Sequence, residues 1–145
     1  VEGTGKLIKF KFPLLKDEFD GELSLEGHTL HPELRIIVFT LAGFADYHFR
    51  KDVTITEILR DQATQDKYYC RNPEYRVNPW KSVHQFGCGV DLRTWGFTER
   101  QLQEILDYIN RSFSYDPEGS HPAALCHDIG QGKHFHLQIN PAIKR

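Results

Sequence analysis

At 145 residues, with 39% hydrophobic and 26% charged side chains, the chain has the make-up of one globular unit with a sizeable core. A net charge of -2 with no basic block argues against a nucleic-acid partner. No apolar run approaches the roughly 20 residues that span a bilayer, and the longest, residues 36–44, suits a core. In chain order, residues 7–12 alternate like a strand, and the charged stretch 16–27 with Gly21 suggests turns or a short hairpin. From Pro32 to about Phe49 the apolar residues Leu34, Ile37, Val38, Leu41, Phe44 and Tyr47 recur at helical spacing, with Pro32 suited to a first turn. Residues 52–59 predict a strand with Val53, Ile55, Glu57 and Leu59 on one face and Thr54, Thr56 and Ile58 on the other. Asp61 is placed to cap a helix carrying Ala63, Gln65 and Tyr68. Residues 70–82, with Asn72-Pro73 and Asn78-Pro79, predict an irregular connection. Residues 98–113 predict a helix opened by the capping-box pair Thr98 and Gln101. A loop at 114–122 follows, and the last strand runs from about Lys133 to Asn140, where Pro141 stops it.

Cys70, Cys88 and Cys126 have neither the number nor the spacing of a disulfide framework or a cysteine metal site. Cys88 suits a small buried residue better than a nucleophile, and all three are expected to be reduced. The start lacks a charged segment followed by an apolar one, so no signal peptide is expected. A chain that begins at Val1 and contains no Met also suits a processed form or a piece of something longer.

Two short stretches carry the chemistry. In Gly89-Val90-Asp91-Leu92 a strand turns Val90 and Leu92 one way and Asp91 the other. In the last strand Phe135, Leu137 and Ile139 share one face, and His134, His136 and Gln138 share the other. His84 lies on the approach to Asp91. Two imidazoles and a carboxylate can hold one Zn²⁺ and leave a fourth position open, the hallmark of a catalytic rather than a structural zinc. Each piece alone has an ordinary explanation, as a surface histidine, a solvated aspartate or an exposed His-x-His pair; the case rests on their combination.

Ser82-x-His84-x-x-Gly87-x-Gly89-x-Asp91 resembles the Ser-x-His-x-x-Gly-x-Ala-x-Asp signature of the zinc D-Ala-D-Ala carboxypeptidase family, with Gly89 in place of Ala. His134-Phe-His136 resembles the family's later His-x-His. The segment from Thr56 through Arg60 to Gln65 is similar to its strand-then-helix element, in which an arginine ends the strand. The likeness covers roughly residues 53–140 and looks most like phage and bacterial cell-wall peptidases. It implies a single α+β domain over residues 1–145: a small antiparallel sheet with flanking helices and a hedgehog/DD-peptidase-like zinc site in a cleft on the sheet. Residues 1–50 would add a strand-and-helix layer to a core at 53–140.

The resemblance further implies that His84, Asp91 and His136 hold Zn²⁺, with water in the fourth position. Arg60 would stabilise an oxyanion or hold a substrate carboxylate; a surface salt bridge is the competing reading. The substrate class it implies is peptidoglycan stem peptides containing D-residues, acted on by a soluble, monomeric protein. One position departs. The family often has a carboxylate three residues before the last zinc histidine as general base, and here that residue is Lys133. Three alternatives follow: Asp128 reaches the water from the preceding loop, His134 serves from the same face of the strand, or the chain binds zinc without efficient hydrolysis. The last option corresponds to a binding or signalling module with a degenerate peptidase site.

Overall fold

The computed structural model describes residues 7–128 and 132–145. β1 (Ile8–Phe10) leads into α1 (Pro13–Phe19), where the sequence predicted turns or a hairpin. Pro13 supplies the φ of a first helical turn. Leu15, Glu18 and Phe19 face inward at helical spacing, while Lys16, Asp17 and Asp20 face water. The charge of this segment belongs to the outer face of a short helix. α2 (Pro32–Phe49) matches its predicted bounds: Pro32 opens it, the His31 imidazole accepts from the Glu33 N–H at 3.1 Å, and Arg50 ends it in the left-handed conformation. Leu34, Ile37, Val38, Leu41, Ala42 and Ala45 form its buried stripe.

β2 (Val53–Glu57) and α3 (Gln62–Tyr69) follow, and Asp61 Oδ1 accepts from the Thr64 N–H at 2.8 Å as the predicted cap. The connection expected to be irregular contains α4 (Pro73–Val77), with Pro73 in its first turn and Asn72 as its cap. A 3₁₀ turn (Val83–Phe86) precedes β3 (Gly89–Arg93). α5 (Glu99–Ser112) is opened by the predicted capping box, in which Thr98 and Gln101 each receive the other's backbone N–H. β4 (Ala124–His127), not foreseen in the sequence, and β5 (His134–Gln138) complete the elements.

The architecture is α+β. Five strands form one sheet in the order β1-β2-β3-β5-β4. The sheet is mixed, not wholly antiparallel as expected: β1 runs parallel to β2, and the remaining pairs are antiparallel. The parallel pair follows from connectivity. Strands joined through intervening helices, here α1 and α2, can lie side by side in one direction, which a tight hairpin cannot arrange. Val90, Leu92, Phe135 and Leu137 are wholly buried in one cluster with the α2 stripe and with Leu102, Ile105 and Ile109 of α5. The described part of the predicted N-terminal layer, residues 7–50, therefore packs on the core through Ile8, Leu15, Phe19 and the α2 stripe. Cys88 is buried, Cys126 half-buried and Cys70 exposed, all as free thiols; burial pushes the Cys88 thiol up and disfavours its nucleophilic form. No helix among the described residues is long and apolar enough to cross a membrane.

Candidate metal centre

The sheet's second face is polar because its strands alternate. Asp91 pairs with His136 and Arg93 with His134 across β3 and β5, and His127 pairs with His134 across β4 and β5. Residues opposite one another share a face, so Asp91, His127, His134 and His136 come together there. β2 adds a residue by an irregularity. Ile55 pairs with Leu92 but Glu57 pairs with Asp91, which places one extra residue on β2. That β-bulge moves Glu57 from the Ile55 face, where alternation put it, to the face of Asp91.

His84 arrives from outside the sheet. Ser82 and Gln85 cap the 3₁₀ turn reciprocally, and Gly87 closes it at a φ of 72°. His84, Asp91 and His136 are only 2%, 5% and 6% exposed, which excludes the reading of three unrelated surface residues. Their ligand atoms lie within 4.8 Å of one another.

The hydrogen bonds on the far side of each ring define what the near side can do. His84 Nδ1 lies 2.8 Å from the Ile58 carbonyl oxygen, a contact that needs an Nδ1–H. Its Nε2 then presents a lone pair 3.1 Å from Asp91 Oδ1, buried and with no hydrogen bond of its own. His136 Nε2 lies 3.1 Å from Gln138 Oε1, and the Gln138 amide is oriented by donation to the Pro122 carbonyl at 2.9 Å. With the proton on Nε2, His136 Nδ1 also turns a lone pair to Asp91 Oδ1, at 2.8 Å. Two nitrogen lone pairs and an anionic oxygen at these separations repel one another unless a proton or a metal ion lies between them. Ligands about 2.1 Å from a tetrahedral zinc stand about 3.4 Å apart, so this donor set fits the ion with small adjustments. Ring nitrogens held from behind by carbonyl or amide oxygens are the usual support of metal-binding histidines.

Burial alone would raise the Asp91 carboxyl, but His84 and His136 outweigh it and hold the group well below the usual carboxylate range. Burial likewise opposes a charged His84, yet Asp91 and then Glu57 prevail and raise its pKa. The cluster thus attracts positive charge. His127 behaves differently: burial, then His136 and His134, push it down to about 4, which keeps its imidazole neutral.

Two cavities meet at Asp91. The smaller, about 30 Å³, is bordered by Arg60, His84, His127 and His136 and has room for one water or one ion. The larger, about 220 Å³, is walled by Glu57, Tyr68, Arg93, Trp95, Lys133 and His134. The site residues from the sequence fall into place unequally. His134 lies on the site face, with Nδ1 held by the Gly132 carbonyl at 3.0 Å and a buried, unpartnered Nε2 3.4 Å from Asp91 Oδ2. Asp128 is exposed at the end of β4, where its Oδ1 accepts from the Gly132 N–H at 3.0 Å. Lys133 turns its ammonium to Glu99, 3.1 Å from both carboxylate oxygens.

Arg60 is no surface pair: its side chain is 2% exposed. Nε and Nη2 donate to Glu57, Nη1 donates to Gln65 Oε1 at 2.7 Å, and the guanidinium stands 4.7 Å from the centre of the Tyr68 ring. Burial opposes its charge, but Glu57 prevails and raises its pKa. Tyr68, pushed up to about 12 by burial and Glu57, keeps its proton and donates to Glu57 Oε2 at 3.2 Å. Arg60→Ala would leave the half-buried Glu57 without its cationic partner, with only the Tyr68 hydroxyl still donating to it. It should cost about 3 kcal/mol of stability, the low end for a broken buried pair because Glu57 is partly exposed. Equilibrium urea unfolding measures this, and an unchanged midpoint would show that the pair contributes nothing. Glu57 and His127 were not read as site residues from the sequence: a bulge positions the first, and an unforeseen strand the second.

Comparison of the chain with protein-family models, with curated proteins and with solved structures finds no match.

Proposed function

We propose that this chain is a zinc metallopeptidase that hydrolyses short peptidoglycan stem peptides containing D-residues, with its site in a hedgehog/DD-peptidase-like cleft on the sheet. The observation that carries the reading is the convergence of two imidazole lone pairs, each fixed from behind, on one buried carboxylate oxygen. In this reading His84, Asp91 and His136 hold Zn²⁺. When bound, the ion would lower the pKa of a water and polarise the scissile carbonyl. His134 is the preferred general base, because its Nε2 is a free acceptor on the wall of the larger cavity. Asp128 acts one step removed: it holds the Gly132 N–H, and the Gly132 carbonyl fixes the proton on His134 Nδ1. Arg60 positions Glu57, which brings a second negative charge within 3.8 Å of His84 Nε2. Lys11 and Arg93 on the larger cavity give it positive charge suited to the carboxylates of stem peptides.

A second reading, a zinc-bearing binding or signalling module, is favoured by one observation: Lys133, at the position of the expected acid, is turned to Glu99. Purified chain with one equivalent of Zn²⁺, incubated with muropeptides, should release new free amines, and His84→Gln should abolish the release. Stoichiometric zinc without turnover on any stem peptide would favour the module. A protein that binds no zinc would overturn both.

A further inference from the structure

Asp91 has a second oxygen that the centre described above leaves unused. Oδ1 faces His84 and His136, whereas Oδ2 faces the buried, unpartnered Nε2 of His134 at 3.4 Å. The other ring nitrogen of His134 is occupied by the Gly132 carbonyl, so its lone pair is aimed at the carboxylate as those of His84 and His136 are. Strand pairing brings a further imidazole beside it: His127 stands opposite His134 across β4 and β5, with ring centres 4.6 Å apart. The ligand atoms of Asp91, His127 and His134 lie within 4.8 Å of one another, the same span that encloses His84, Asp91 and His136.

We propose that Asp91, His127 and His134 form a second divalent-metal site, joined to the first by the Asp91 carboxylate. The two oxygens of one carboxylate can each hold a different ion, and hydrolases use paired ions about 3.5–4 Å apart. Two imidazoles and one oxygen select zinc-class ions and disfavour Mg²⁺ and Ca²⁺, which require mostly oxygen ligands. The second ion shares its only carboxylate and feels the charge of the first, so it binds the more weakly of the two. It also takes the His134 Nε2 that the proposed hydrolysis uses as base, so occupancy of this site and turnover exclude each other. The proposal rests on the reading of His84, Asp91 and His136 only through the shared carboxylate.

Calorimetric titration of Zn²⁺ into the chelator-treated chain tests it. The wild type should take up two equivalents, one tight and one weaker, and Mg²⁺ at the same concentrations should not compete. His127→Gln and His134→Gln should each reduce the count from two to one and keep the tight equivalent, with circular dichroism confirming that both variants are folded. Saturation of the wild type at one equivalent would overturn the second site and leave the first standing. A count of two that survives both substitutions would also overturn it. Uptake of no zinc at all would remove both sites together.

Discussion

Asp91→Asn is expected to strip the protein of metal while leaving it folded. The carboxylate touches three imidazoles of the cluster: Oδ1 lies 3.1 Å from His84 Nε2 and 2.8 Å from His136 Nδ1, and Oδ2 lies 3.4 Å from His134 Nε2. Asparagine keeps the shape and removes the charge. Its amide can donate to one of the imidazole lone pairs, so the buried site keeps a hydrogen bond that alanine could not supply. Zinc affinity should fall by at least about a hundredfold, because even the outer hydrogen-bond partners of a ligand cost about 10–100-fold when removed. Titration against a competing chelator reads this directly. Unfolding supplies a second readout. Zinc at about a hundred times its dissociation constant should stabilise the wild type by about 2.7 kcal/mol and the variant hardly at all. Retention of tight zinc by Asp91→Asn would remove the carboxylate from the centre, and the hydrolase reading would fall with it.

How far the sequence foretold this arrangement depended on whether the deciding interaction was local. Apolar spacing and a terminal proline define α2 within its own residues, and the Thr98–Gln101 box opens α5 in the same way. The faces of β3 and β5 were legible because strict alternation survives in regular strands, which put Asp91 and His136 on the polar side. α1 was hidden because Lys16, Asp17 and Asp20 form a solvent face over the few residues that pack, among them Leu15 and Phe19. β4 is too short for periodicity to speak: it is four residues long and gains its identity from pairing with β5. Glu57 is the instructive failure. Alternation is sound up to Ile55, and then one inserted residue reverses it, a change that depends on the partner strand and leaves no mark on β2 itself. Arg60 was visible as a candidate, but its role turned on Glu57 and could not be read before the bulge was known. The interactions that assemble the polar face are therefore the non-local ones, and local pattern supplied the scaffold on which they act.

Gly87→Ala should be the most damaging glycine substitution among the described residues, at about 2–5 kcal/mol. The estimate combines two costs: about 1–2 kcal/mol for a side chain in the left-handed region, and about 1–3 kcal/mol for overpacking a filled space. Both apply here. Gly87 has a φ of 72°, and a Cβ built on it would lie 1.9 Å from the Thr29 carbonyl oxygen, a backbone atom that cannot swing aside. That oxygen is held close because the His31 N–H donates to the Gly87 carbonyl at 2.8 Å, tying the approach to α2 to the end of the 3₁₀ turn. The same turn holds His84, so relief of the clash must disturb the metal ligand as well as the fold. Gly89 provides the control. A Cβ there would meet Val83 Cγ2 at 2.8 Å, a side-chain atom that can move, and His84 Cγ and the His84 backbone nitrogen at 3.2 Å, a milder crowding than at Gly87, and its backbone carries no left-handed strain. Gly89→Ala should therefore cost less stability than Gly87→Ala. It should weaken zinc binding through the displaced His84 ring, and Gly87→Ala should lower both zinc affinity and the unfolding midpoint. Equal midpoints for the two variants would show that the contact with Thr29 does not constrain the turn.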